Sequence, residues 1–322
     1  MASGRILVIR GGAIGDFVVT LPVLSALRGQ FPSASLELVA YPAVASLALE
    51  SGLVDAIRPI EARPLAGFFA RRGALDPEWS GYFAGIAVVF TYLFDPDELF
   101  RGNLARVTKA QLIQGPHRPV EPCTTHVTAQ LLEPLQRLAL FDADPTPRLT
   151  LSPESGTAVR EGIPCVAVHP GSGGRHKVWP VENWKRLLQW VLARFPVRLM
   201  LVGGEADEAA IRELERDLPA DRVELLFRQP LPLVARRLSG CVGFLGHDSG
   251  ITHLAAACGR PGLVLWGPTD ATVWRPQSER MTLVHAPDGR LESLGPGTVE
   301  AALDSLLAAW LSERAAPASP LA

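Results

Sequence analysis

The chain has 322 residues, of which 48% are hydrophobic and 20% are charged, and its formal net charge is −2. This composition excludes an intrinsically disordered chain, and the near-neutral charge disfavours nucleic-acid binding, which usually needs a basic domain. The length suffices for two domains with cores of their own. Because no apolar run reaches the roughly 20 residues of a membrane span, we expect a cytoplasmic protein with at most peripheral membrane contact.

The four cysteines favour neither disulfides nor a zinc site. Cys123, Cys165, Cys241 and Cys258 are widely separated and form no Cys-x-x-Cys pair, so we interpret them as reduced residues of a cytoplasmic protein. No cluster of His, Cys and Asp has the spacing of metal ligands. The sequence therefore predicts neither a metal ion nor a bound cofactor.

Short apolar runs alternate with helical patterns in the first half of the chain. The predicted strands are residues 6–9, 36–40, 86–90 and 110–113, and residues 17–27 form a predicted helix. The apolar and then basic segment 68–72 is either an ordinary amphipathic helix or a docking surface for an anionic or lipid-linked partner.

The second half repeats this alternation. The predicted strands are residues 166–168, 199–202, 223–226, 241–245 and 263–266. The predicted helices are residues 181–195, 205–217, 231–238 and 299–312, the last of them capped by Thr298.

Buried strands that alternate with helices indicate parallel sheets covered on both faces. The predicted fold class is α/β, with two Rossmann-like doubly wound domains that face each other across a cleft. Three prolines in residues 142–153 place the domain boundary there. We expect an N-terminal domain over residues 1–150, a C-terminal domain over 151–314 whose last helix has the option of packing back on the first domain, and a disordered tail over 315–322.

The loop after the first strand contains Gly11, Gly12 and Gly15, which let the backbone turn tightly and approach a ligand. Its spacing differs from the dinucleotide fingerprint, which disfavours an NAD site. Asp16 follows at the start of the first helical segment. This residue either caps the helix or presents a carboxylate to the cleft as a general base, and both roles can hold together.

A Gly-rich loop follows the first strand of the second half. It contains Ser172 and Gly173, and Lys177 lies just beyond it. The lysine is either a solvated surface charge or a phosphate contact. Glu205, which follows Gly203-Gly204 at the next strand end, either caps a helix or accepts the hydroxyls of a nucleotide ribose.

The most informative segment is residues 247–257, which follow the fourth predicted strand of the second half and begin a helix of small residues. A helix N-terminus offers free N–H groups and the positive end of a dipole, and both favour phosphate. Ser249, Gly250 and Thr252 are the candidate phosphate contacts, and Asp248 is a candidate acceptor for sugar hydroxyls. His253 is either packed or a ligand contact. Two phosphate-compatible loops together indicate a pyrophosphate-bearing ligand.

Four segments together resemble the glycosyltransferase family that contains the ADP-heptose:lipopolysaccharide heptosyltransferases. They are residues 10–22, 169–184, 201–205 and 246–269, and they occur in the order of the family. The resemblance implies a GT-B fold and a metal-independent, inverting transfer from a nucleotide-diphosphate sugar, with ADP-heptose as the expected donor. It also implies a lipid-linked, lipopolysaccharide core-type saccharide acceptor, and hence peripheral contact at the inner face of the inner membrane.

The same resemblance assigns roles to individual residues. Asp16 matches the catalytic base, and residues 55–125, which match nothing, would shape the acceptor site. The donor positions are matched by Ser172, Lys177, Ser249 and Gly250 at the phosphates, by Asp248 near the sugar, and by Thr252 and His253 in the helix-start motif.

Two other functions remain open on the same scaffold. A nucleotide-sugar epimerase would convert the donor without any acceptor. A non-catalytic nucleotide-sugar-binding protein would keep the donor site but have less need of a base at Asp16. An NAD oxidoreductase is disfavoured because the dinucleotide fingerprint is missing.

Overall fold

A computed structural model describes residues 4–151 and 162–315 of the chain. It divides into two compact units, with the division between Thr150 and Leu151. Each unit is a parallel sheet with helices, as the alternating sequence pattern predicts. The predicted disordered tail lies outside the described residues, apart from Ala315, which ends a helix.

The first unit contains a five-stranded parallel sheet. Its strands are β1 (Arg5–Ile9), β2 (Ser35–Ala40), β3 (Ala56–Pro59), β4 (Val88–Thr91) and β5 (Gln111–Gln114). Its helices are α1 (Ile14–Val18), α2 (Leu21–Gln30), α3 (Pro42–Glu50), α4 (Pro77–Ala84), α5 (Leu99–Ala105) and α6 (Val127–Leu132), and short 3-10 segments cover Arg63–Phe69 and Glu133–Leu138. The strand order is β3-β2-β1-β4-β5, so β1 is central.

The second unit contains a six-stranded parallel sheet. Its strands are β6 (Cys165–His169), β7 (Arg198–Gly203), β8 (Val223–Phe227), β9 (Gly243–His247), β10 (Gly262–Trp266) and β11 (Met281–His285). Its helices are α7 (Val181–Arg194), α8 (Glu208–Asp217), α9 (Leu231–Ser239), α10 (Gly250–Ala257), α11 (Ala271–Trp274) and α12 (Pro296–Ala315). The strand order is β11-β10-β9-β6-β7-β8.

The central strands are apolar because both of their faces are covered. Leu7, Val8 and Ile9 of β1 are fully buried, and so are Val166 and Val168 of β6. Continuous apolar runs of this kind are typical of parallel sheets between two helical layers. In each unit the strand order reverses direction beside the first strand, between β1 and β4 and between β6 and β9. Ligands of open α/β sheets bind at such a switch point, outside the carboxyl ends of the strands.

The helical pattern at residues 17–27 is interrupted, contrary to the single helix that the sequence predicts. α1 ends at Val18, and α2 begins at Leu21. Pro22 has no N–H to continue the helical hydrogen-bond pattern across this point. The Thr20 N–H instead bonds to the Phe17 carbonyl, three residues earlier. The break shortens α1 to a single turn that carries Asp16.

Other predictions need correction at element ends. The strand predicted at 241–245 is β9, which runs two residues further, so His247 belongs to the sheet. The last helix begins at Pro296, a residue favoured in the first turn, so Thr298 lies inside it and is not its cap. The segment 68–72 is not an amphipathic helix, because the 3-10 segment ends at Phe69 and Arg72 has a positive φ of 52°.

Candidate functional site

The first cluster of candidate residues lies where β6 and β9 end. These strands pair directly, with His169 opposite Gly246, so the loops that follow them lie side by side. The Ser172 hydroxyl donates to the Asp248 carbonyl at 2.7 Å and ties the two loops together. Gly173 is exposed with open space around its Cα, which leaves this turn of the loop accessible.

Lys177 and Asp248 form an ion pair in this cluster. The distance between Lys177 Nζ and Asp248 Oδ2 is 2.7 Å, and the two side chains are 28% and 11% exposed. The sequence suggests separate roles for the two residues, whereas the structure joins them. An ammonium group has three donors, so Lys177 keeps donors for a further anion while it holds Asp248.

The start of α10 has the geometry of a phosphate site. Ser249 is its N-cap in an extended conformation, and its Oγ accepts the Thr252 N–H at 3.3 Å. The His253 N–H bonds to the Ser249 carbonyl. Gly250 and Ile251 are the first two residues of α10. The N–H groups of a first helical turn have no partner within the helix, so these two are the donors that α10 offers to an anion.

Thr252 and His253 lie inside the unit rather than at its surface. Thr252 is fully buried, and its hydroxyl donates to the His247 carbonyl. His253 is 6% exposed. Both residues therefore support the start of α10 from within. The side chain of Glu205, by contrast, is 81% exposed, and its carboxylate lies 3.7 Å from the Arg228 guanidinium.

A chain of polar contacts that the sequence does not reveal holds Ser249 in place. His169 Nδ1 lies 3.2 Å from the Ser249 hydroxyl, and His169 Nε2 lies 3.4 Å from Asp207 Oδ2. Burial raises the pKa of Asp207, but the contact with His169 and the Gly204 N–H outweigh it and hold the pKa below its usual value. Asp207 also leaves no room for a side chain at position 171, because a Cβ on Gly171 would collide with Asp207 Oδ1.

His247 anchors the loop that carries Lys177. Its Nε2 accepts the Trp179 N–H at 2.9 Å and the Trp184 indole N–H at 3.2 Å. Because Nε2 accepts, the proton of the neutral ring is on Nδ1, which lies 3.2 Å from the Gly171 carbonyl. Burial lowers the pKa of His247 to about 3, and the Gly171 contact opposes this shift only in part.

The second cluster of candidate residues lies in the first unit, in the loop between β1 and α1. Asp16 is in the first turn of α1, and its Oδ2 accepts the Ala13 N–H at 3.0 Å. The Asp16 side chain is 30% exposed. The N-cap of α1 is Ala13 and not Asp16, so Asp16 caps the helix only by bonding back to the Ala13 N–H, and its carboxylate still reaches solvent.

The glycines of this loop have different roles. Gly12 has a φ of +107°, and a Cβ there would lie 2.7 Å from Asp16 Oδ2, so this position excludes a side chain beside the carboxylate. A Cβ on Gly11 would make only ordinary contacts, the nearest at 3.7 Å from Leu93 Cδ2. Gly15 is a residue of α1, and its carbonyl accepts the Val19 N–H.

Arg10 is a buried residue of this cluster that sequence reasoning overlooked. Its guanidinium is 3% exposed, donates to the Asp16 carbonyl at 3.3 Å and lies 3.6 Å from Asp16 Oδ1. A second branch donates to the His117 carbonyl at 2.9 Å. Burial lowers the pKa of Arg10, and the charge of Asp16 opposes that shift. The signal in the sequence was an arginine directly after an apolar strand.

Three further observations bear on metals, thiols and membranes. Within residues 4–151 and 162–315, no three His, Cys, Asp or Glu side chains are grouped so that they could hold a metal ion. All four cysteines are free thiols, three of them buried. No helix in that part of the chain combines the length and hydrophobicity needed to cross a membrane.

Known proteins resemble this chain in sequence and in fold. A curated relative, the lipooligosaccharide heptosyltransferase 2 of Haemophilus influenzae, is 28% identical over 152 residues, which are 46% of this chain and 44% of the relative. The chain thus matches less than half the length of that relative.

Solved structures extend the likeness in fold to nearly the whole chain. A family 9 glycosyltransferase from Veillonella parvula has a TM-score of 0.77 at 16% identity, with 95% of this chain and 98% of the other covered. The Escherichia coli ADP-heptose lps heptosyltransferase II has a TM-score of 0.70 at 20% identity, with 96% and 99% covered. The fold is therefore the GT-B fold of these enzymes.

The family model for glycosyltransferase family 9 (heptosyltransferase) matches residues 118–300. The matched segment is more than half of the chain and contains the whole cluster at the ends of β6 and β9. Asp16 and Arg10 precede the matched segment, so the family match does not include them. The chain belongs to glycosyltransferase family 9 (heptosyltransferase).

Proposed function

We propose that the protein is an inverting, metal-independent glycosyltransferase that moves a heptose from ADP-heptose to a lipopolysaccharide core-type acceptor. The observation that carries the proposal is the cluster of Lys177, Asp248 and the N-terminus of α10 at the switch point of the second unit. A diphosphate leaving group needs this concentration of donors and positive charge.

The donor argument begins with the diphosphate. The N–H groups of the first turn of α10 and the helix dipole favour one phosphate, and Lys177 on the neighbouring loop would contact the second. Ser172 braces the two loops against each other. In the proposed reaction these groups take the stabilising role that a divalent cation has in other transferases.

The donor identity is supported by likeness. The Escherichia coli structure with this fold is named an ADP-heptose lps heptosyltransferase, and the family description names heptosyltransferases. We extend both the nucleotide and the sugar from these proteins to this chain. We also propose a lipopolysaccharide core-type acceptor, which the word lps in the same name supports, and with it peripheral contact at the inner face of the inner membrane.

Asp16 is the proposed general base. Its carboxylate would take the proton of the acceptor hydroxyl while that oxygen attacks C1 of the heptose. The bond between C1 and the diphosphate oxygen would break with its electron pair on ADP, and the configuration at C1 would invert. The partial exposure of Asp16 and its fixed position against Ala13 and Arg10 support this role, since a general base must be both reachable and oriented.

The direct test is a product assay with purified protein, ADP-heptose and core lipopolysaccharide in the presence of EDTA. We expect one heptose on the acceptor for each ADP released. Conversion of ADP-heptose without an acceptor would identify an epimerase instead. Binding of ADP without turnover of any acceptor would indicate a non-catalytic binding protein, and activity that EDTA abolishes would contradict metal independence.

A further inference from the structure

A cavity of about 290 Å³ lies in the first unit, beyond the ends of β4 and β5. The loop that follows β4 and the loop that follows β5 line it, including Leu93, Phe94, Glu98, Gln114 and His117. This is the same sheet edge as the switch point between β1 and β4, where ligands of α/β sheets bind.

The cavity adjoins the loop that carries the proposed base. Leu93 lines the cavity, and its Cδ2 would lie 3.7 Å from a Cβ added to Gly11. His117, on the other wall, accepts through its carbonyl a hydrogen bond from Arg10, whose guanidinium also holds Asp16. The Arg10–His117 hydrogen bond and the closeness of Leu93 to Gly11 therefore connect the cavity with the Asp16 loop, both within the first unit.

The cavity presents an aromatic ring to solvent. Phe94 is 68% exposed, and its ring lies 4.6 Å from the His117 ring, centroid to centroid. The segment behind Phe94 is fixed, because the Asp95 carboxylate accepts the N–H groups of Phe100 and Arg101 at the start of α5. An exposed ring on a fixed loop is a flat apolar surface that contributes nothing to the core.

Polar groups surround this ring. Glu98 and Arg101 form an exposed ion pair at 3.0 Å. The Gln114 amide nitrogen donates to two backbone carbonyls, which leaves its Oε1 as the acceptor. The lining contains two carboxylates, those of Asp95 and Glu98, and one guanidinium, that of Arg101. This balance disfavours a phosphate or another strongly anionic group.

We infer that the Phe94 cavity binds a neutral sugar ring of the saccharide acceptor. The apolar C–H face of the ring stacks on Phe94, and its hydroxyls bond to the Glu98–Arg101 pair and to Gln114. A few placed polar groups beside an apolar surface are what orient a ligand in a pocket of this size. This inference rests on the proposed function and adds to it the place where the acceptor is held.

The test compares Phe94→Ala with Phe141→Ala, since Phe141 is equally exposed, at 67%, and lies outside the cavity. We expect Phe94→Ala to raise the KM for the core oligosaccharide about tenfold, with the KM for ADP-heptose and kcat little changed. Phe94→Tyr should restore the acceptor KM, and Phe141→Ala should behave as wild type. An unchanged acceptor KM in Phe94→Ala would overturn the inference.

A binding measurement separates this inference from the proposed function. Saturation-transfer NMR with free heptose as the probe should show contact with wild-type protein and Phe141→Ala but not with Phe94→Ala. Added inorganic phosphate should leave the signal unchanged, and displacement by phosphate would show that the cavity is an anion site. If wild-type protein transfers heptose but Phe94→Ala binds the probe normally, the cavity assignment fails alone. If wild-type protein transfers nothing, the proposed function fails.

Discussion

Lys177 Nζ lies 2.7 Å from Asp248 Oδ2, so a residue of the loop after β6 is paired with the residue that follows β9. The pair fixes the lysine against a residue two positions before the start of α10. A ligand phosphate that enters there meets an ammonium group already held in place, which reduces the ordering cost of binding.

Lys177→Ala should weaken ADP binding in the absence of metal. A hydrogen bond to a charged group contributes about 1.5–3 kcal/mol, so we expect the Kd for ADP to rise about 10- to 100-fold. Isothermal titration calorimetry in EDTA measures this change. Lys185→Ala is the matched control, because Lys185 is similarly exposed and pairs with Asp217 at 2.6 Å outside the cluster. Equal ADP affinity in both variants would contradict the assignment of Lys177 to the donor site.

Gly12→Ala should reduce transfer without affecting ADP binding. The new Cβ would lie 2.7 Å from Asp16 Oδ2 and would push the carboxylate from its position, so we expect kcat to fall at least about tenfold. Gly52→Ala is the control for backbone strain alone, because Gly52 also has a positive φ, +72°, but nothing within 4 Å of the added Cβ. Similar kcat values for the two variants would contradict this explanation, because they would show that displacement of Asp16 does not lower kcat.

His247 should make the protein less stable in mild acid. Its pKa is about 3 in the folded protein, against an ordinary 6.5, so between these values the unfolded chain binds a proton that the folded chain does not. The contribution of His247 to the free energy of unfolding is fully present above pH 6.5. It declines as the pH falls, by about 1.4 kcal/mol per pH unit. Urea unfolding between pH 7 and 5 measures the slope.

The variant for this test is His247→Gln, which keeps an acceptor for the Trp179 and Trp184 N–H groups. It should be less stable than wild type at pH 7 but have a flatter pH dependence. His285→Gln, at the exposed end of β11, should keep the wild-type slope. A wild-type slope in His247→Gln would contradict the assignment of a neutral, buried imidazole.

Continuous apolar runs located strands such as β1 and β10, since burial on both faces of a sheet leaves a direct trace in the sequence. Two of the four edge strands, β3 and β11, were missed, whereas the other two, β5 and β8, were located. β3 contains Arg58 and Pro59 among its four residues, which an edge position tolerates and a central strand does not. β11 contains Thr282 and ends at an exposed histidine.

Sequence analysis predicted which loops carry the candidate residues, but it did not predict the contacts between those loops. Asp16, Ser172 and Ser249 follow strands, so their place at a sheet edge follows from the strand pattern. The contacts of Ser172 with Asp248 and of Ser249 with His169 join residues 76 and 80 positions apart. They depend on β9 pairing with β6, a strand order that local periodicity does not determine.

The most direct test of the central claim is the rate of heptose transfer by Asp16→Asn, measured together with its affinity for ADP. Asparagine keeps the size of the side chain and an oxygen that can accept the Ala13 N–H, but it cannot take a proton. We expect kcat to fall about 10²- to 10⁴-fold with the Kd for ADP unchanged, while Glu182→Gln, an exposed first-turn acid of α7, transfers as wild type. Transfer by Asp16→Asn at the wild-type rate would contradict the assignment of Asp16 as the base.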